Sequence, residues 1–95
     1  MADYLFLMHD DSIDDGDWGP YLERLQRAGK FQGGSAIGPG VCVRKPGRPR
    51  KLTDHIVGFI RVEAASLGEA RALLAGNPVY ENGGTVEIRE LPKTP

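Results

Sequence analysis

Four strand-length runs alternate with two helical stretches, and that order narrows the chain's architecture more than any other property. Tyr4–His9, YLFLMH, is too short for a helix and rich in aromatic and branched side chains. Phe31–Ile37, Ile56–Glu63 and Thr85–Leu91 complete the set. Between the first two runs, Trp18, Tyr21, Leu22, Leu25 and Ala28 recur at helical spacing. Asp17 or Gly19 caps that helix at its start and Gly29 stops it. Between the last two runs, Ser66 and Glu69 have the spacing of a capping box, and Leu67, Ala70, Leu73 and Leu74 form an apolar stripe. Gly76 and Pro78 end that helix.

The order β-α-β-β-α-β predicts an α+β, ferredoxin-like fold: an antiparallel sheet with two helices on one face, in strand order 4-1-3-2. The first strand is then central, and its end lies beside the start of the third and fourth. His9 and Asp10 are expected near Asp54 and His55, with Gly84 and Thr85 close by. The basic run RKPGRPRK, 44–51, leaves from the same edge. Helices cover only one sheet face, so the other needs a second cover. Tyr4, Phe6, Met8, Val57 and Phe59 are expected on that bare face. A homodimer of the sheet-on-sheet kind would shield it, and burying roughly 600 Å² of apolar surface is worth on the order of 15 kcal/mol before association costs.

Ninety-five residues make one domain, 1–95. Twelve basic against thirteen acidic residues leave a net charge of −1, which disfavours nucleic acid as the main partner. A single cysteine excludes a disulfide framework and a cysteine-based zinc site. No apolar run approaches the ~18 residues of a membrane span and no secretory leader opens the chain, so a cytoplasmic location without membrane contact is expected.

An imidazole titrates near neutrality, so His9 is the candidate general acid–base group. Asp10, Asp11 or Asp54 would orient it, and a strand-end histidine bonded to loop backbone is the plainer alternative. Asp54 and His55, adjacent in sequence, would point to opposite faces of a strand. Two histidines and a carboxylate form a known ligand set, but no local metal motif is present, and neither metal nor cofactor is assigned. Arg44, Arg48 or Arg50 of the basic run would draw a carboxylate or phosphate toward the edge, and Tyr21 would donate a hydrogen bond to a ligand. GRP amid basic residues also matches part of a minor-groove DNA motif, a lesser alternative. The small residues of FQGGSAI signal a bulge or a close approach by backbone or ligand, or simply a weak strand. Cys42, between two valines, is expected to be packed.

The segments YLFLMHDD, GPYLERLQRAGKFQGGSAIG, GFIRVEAASLGEARALLAGNP and GGTVEIRELP together resemble the YCII-related proteins and their DGPF-motif relatives. The resemblance covers nearly the whole chain and implies a dimeric α+β barrel of two facing ferredoxin-like sheets. It also implies small-molecule binding in a cleft, with lyase or dehydrochlorinase-type chemistry on small aromatic compounds in some relatives and a His–Asp pair proposed as their active site. The family's histidine near the first helix falls at about Tyr21 here, and the DGPF sequence is absent. Asp54 is the possible counterpart of the family's aspartate, with His9 or His55 standing in for the histidine. The expectation is a small homodimer that binds a small anionic or aromatic molecule and carries out elimination or isomerisation through His9 and Asp54, with Asp10, Tyr21, Arg44, Arg48 and His55 at the ligand. The alternative is a non-catalytic binding or accessory module.

Overall fold

Antiparallel pairing begins with the N-terminal run, which forms the central strand β1, Ala2–His9. A computed structural model describes residues 1–93 of the chain. The elements that follow are helix α1 (Trp18–Arg27), strands β2 (Phe31–Ala36) and β3 (Ile56–Ala64), helices α2 (Leu67–Ala72) and α3 (Pro78–Glu81), and strand β4 (Val86–Leu91). The sheet order is β2-β3-β1-β4, the ferredoxin-like arrangement expected from the order of elements. β1 pairs antiparallel with β3 on one side, Phe6 opposite Ile60, and with β4 on the other, Phe6 opposite Ile88.

The two sheet faces differ from expectation in one respect. Tyr4, Phe6 and Met8 do not face outward. They meet Ile60 and Val62 on the helix side and form the core with Tyr21, Leu25, Ala70 and Leu74. Phe6, Leu25 and Val62 are wholly buried, each stabilising by about 2 kcal/mol. Side chains alternate along a strand, so Leu5, Leu7 and His9 occupy the uncovered face. Val57 and Phe59 join them there, as expected. The centre of that face is apolar, and an Arg61–Asp3 pair at 2.8 Å and an Arg89–Glu87 pair at 3.1 Å flank it.

Local chemistry sets the element ends. The Asp17 carboxylate accepts from the Gly19 amide, and Arg24 and Arg27 lie at the negative end of α1. Gly29 leaves the helix at φ +71. The Ser66 hydroxyl caps α2 by accepting from the Glu69 amide at 3.2 Å. Glu69 does not close the expected capping box with Ser66. It reaches Lys30 at 3.1 Å, and that bond holds its carboxyl below the usual range. Pro78 ends nothing by itself: it sits in the first turn of the additional helix α3, which the buried Asn77 caps through Oδ1. Residues 37–55 form an arm without regular structure.

Candidate functional site at the end of the central strand

Two backbone hydrogen bonds gather the expected edge. His9 donates its amide to the Thr85 carbonyl at 3.0 Å, and Asp10 donates to the His55 carbonyl at 2.9 Å. The register between β1 and β3 shifts at Met8/His9, so His9 lies opposite Ile56 and Val57 is the extra residue. The His9 and His55 rings meet edge to face, 4.9 Å between centroids. The end of β1 therefore holds the imidazoles together.

A cleft of about 560 Å³ opens beside this edge, between the sheet, α1 and α3. Gly34 and Gly58 belong to its floor, and Trp18 and Leu22 to its α1 wall. The glycines have different reasons to be there. A Cβ on Gly34 would come within 2.5 Å of the Phe59 carbonyl oxygen, so β2 and β3 approach too closely for a side chain. A Cβ on Gly58 would only touch its neighbours, and its absence widens the cleft. Gly33, at φ +123, lies at the register shift that brings β2 into this position. Both meanings of a small-residue strand, bulge and close backbone approach, are therefore realised. Asp10, Ser12 and Asp15 lie at the rim, and among the described residues no lysine or arginine bounds the cleft.

His9 stands where cleft and uncovered face meet. Its Nε2 lies 3.4 Å from Oε1 of Glu87 on β4, across the face opposite the helices. Glu87 is also bonded by Arg89, and these partners, Arg89 first, hold its carboxyl below the usual range. Glu87 thus presents an anion to the ring. In the tautomer protonated at Nε2, the imidazole donates to Glu87 and offers Nδ1 as a base.

The other expected site residues are distributed differently. Asp10 lines the cleft, and His55 supports His9. Asp54 lies exposed beside them without a hydrogen bond or ion pair to His9, whose carboxylate partner is Glu87. Tyr21 is a correction. It is buried, and its hydroxyl donates to the Leu73 carbonyl at 2.8 Å, so it braces α1 against the turn after α2 and has no proton for a ligand. Burial pushes its phenol upward. Arg44 and Arg48 are exposed on the arm and do not line the cleft. Cys42 is exposed as well, not packed. Among the described residues, no three His, Cys, Asp or Glu side chains converge as a metal site, so the His9, Asp10, Asp54 and His55 set does not assemble as one. No helix among them is long and apolar enough to cross a membrane.

Asp11 anchors the loop that forms the rim. Its carboxylate accepts from the Thr85 hydroxyl at 2.7 Å and the Thr85 amide at 2.8 Å, which lowers its pKa. The same Thr85 receives the His9 amide through its carbonyl, so one β4 residue ties rim to strand end.

Comparison with known proteins gives three results. The family model described as the YCII-related domain matches residues 10–93. No curated protein sequence matches. Among solved structures, the chain is similar to 5-chloro-2-hydroxyhydroquinone dehydrochlorinase from Burkholderia phenoliruptrix AC1100, determined in complex with 2,5-dihydroxybenzoquinone. The identity is 18% and the TM-score 0.57, over 99% of this chain and 96% of that one, a likeness of fold.

Proposed function

This chain belongs to the YCII-related family, and on that premise we propose that it is a cytoplasmic homodimer, one domain per chain, that binds a small aromatic molecule and performs acid–base chemistry on it. The observation that carries this reading is the placement of His9. Its imidazole is oriented by Glu87 at the junction of an apolar, glycine-floored cleft and an unshielded sheet face. A flat ring suits the space beside Trp18, because Gly58 projects no side chain into it. The similar dehydrochlorinase binds a dihydroxybenzoquinone, which supports this ligand class.

In a dehydrochlorination, His9 would take the proton of a ring hydroxyl. The oxygen's electron pair moves into the ring as a carbonyl forms, and His9 returns the proton to the chlorine-bearing carbon, which becomes tetrahedral. A second ring hydroxyl then loses its proton to His9, its oxygen becomes the second carbonyl, and chloride leaves the tetrahedral carbon with its bonding pair, giving a quinone. Glu87 holds the ring of His9 in register and faces the imidazolium that results. Asp54, next to His55 in the chain, is kept as a secondary electrostatic partner of His9. The uncovered face built on Leu5, Leu7 and Phe59, with its ionic rim, is the dimer surface.

Trp18 is the chain's only tryptophan and a wall of the cleft, so ligand entry is readable by fluorescence. Titration with 2,5-dihydroxybenzoquinone should quench Trp18 saturably. His9→Ala should keep the quench and abolish release of chloride from a chlorinated hydroxyquinol. Turnover that survives His9→Ala would remove His9 from the mechanism. A second reading, a non-catalytic binding module, is favoured by the buried Tyr21 at the family's histidine position. Saturable quenching with no product from any chlorinated or hydroxylated quinol tried would select it.

A further inference from the structure

We propose that the arm 37–55 of one protomer docks on the acidic rim of a second copy and supplies the cation that the cleft lacks. This rests on the homodimer proposed above. The arm carries Arg44, Lys45, Arg48, Arg50 and Lys51, and among the described residues none of these forms an ion pair within its own chain. Its apolar side chains are equally unsatisfied: Val41 is 83% and Val43 87% exposed. Segment 10–17 is its counterpart in both respects. It holds five aspartates, and Ile13 within it is 85% exposed. Basic and apolar groups on one surface thus match acidic and apolar groups on another.

Shape favours docking between copies. The Cα atoms extend 46 × 40 × 19 Å, and the short dimension is about the thickness of one sheet and one helix layer. The arm therefore runs in the plane of the layers and does not fold over its own cleft, which no residue of 37–55 lines. Pro46 and Pro49 restrict the backbone at its basic tip, which opposes curling back. A two-fold axis makes the contact reciprocal, each arm meeting the other chain's rim. Asp10 and Asp15 lie at the mouth of the cleft, so docking there would place Arg44 or Arg48 beside a bound ligand's anionic oxygen.

The test mixes ¹⁵N-labelled with unlabelled protein, equilibrates them, and joins amines to carboxylates with a zero-length carbodiimide. Peptides linking Lys45 or Lys51 to an aspartate of 10–17 should carry both labels. Sedimentation of the same sample reports the dimer independently. A dimer without mixed-label links, or with same-label links only, overturns the arm contact and leaves the dimer standing. A monomer at every concentration overturns both. Reversal of Arg48 and Arg50 to Glu should weaken dimerisation about tenfold or more, and Asp14→Arg in the same chain should recover part of the loss. Salt-sensitive binding of an AT-rich duplex by the arm, with no mixed-label links, would assign the arm to nucleic acid and overturn the proposal. Arg44→Ala with Arg48→Ala should also weaken binding of 2,5-dihydroxybenzoquinone; unchanged affinity overturns the assigned role in the cleft.

Discussion

Thr85 makes three contacts that matter to the rim: two donated to Asp11 and one accepted from His9. Because those bonds lower the Asp11 pKa in the folded chain, their contribution is present above the unfolded value of about 3.9 and is lost as pH falls through the folded value. Thr85→Val should therefore be less stable than the parent at pH 7, and the gap should narrow below about pH 4. Urea unfolding at the two pH values checks the sign, and an NMR titration should show the Asp11 carboxyl moving back upward. Tyr21→Phe separates packing from binding. It leaves the Leu73 carbonyl without its buried donor and should cost about 1–2 kcal/mol, while Trp18 quenching by ligand stays intact. The gathering of His9, Asp10 and His55 was legible from strand order alone, because antiparallel neighbours bring the end of one strand beside the start of the next. Glu87 was not singled out. Its outward position was visible in the alternation of VEIREL, but which β1 residue it meets depends on register, and no sequence pattern in β4 fixes that offset.

At the level of elements, helical spacing identified α1, run length and composition identified the strands, and caps identified where α1 and α2 start. The second helix ends sooner than its apolar stripe suggests: regular helix stops at Ala72 and turns carry the chain to Gly76. Asn77 then restarts it, and Asn77→Ala should cost about 1–2 kcal/mol by freeing the Val79 and Tyr80 amides, readable as a lowered urea midpoint. The faces of β1 were ambiguous for a physical reason. YLFLMH is apolar on both sides, so alternation cannot say which side meets the helices. β3 does say it, because Arg61 and Glu63 share a face and Ile60 and Val62 share the other. Gly34→Ala should push β2 from β3 through the Phe59 carbonyl and cost about 1–3 kcal/mol, seen as a lower melting temperature.

For the molecule as a whole, the radius of gyration is 14.8 Å, against about 12.4 Å for a compact chain of this length. The excess belongs to the arm, which is exposed from residue 38 to residue 55. Leu7 and Phe59 lie at the centre of the uncovered face and outside the core. Leu7→Asp with Phe59→Asp should thus yield a monomer by sedimentation while the far-ultraviolet circular dichroism is kept. The same changes in Phe6 and Ile60, opposite one another on the helix side, should unfold the chain.

The register shift in β2 has a protective side. A four-stranded open sheet leaves β2 and β4 with unsatisfied margins, and such margins recruit foreign strands into growing fibrils. β2 is only six residues long, and the left-handed backbone at Gly33 spoils its regularity as a template. β4 defends its own side with Glu87, Arg89 and Glu90. The distortion that shapes a ligand cleft therefore also keeps one margin of the sheet from seeding amyloid.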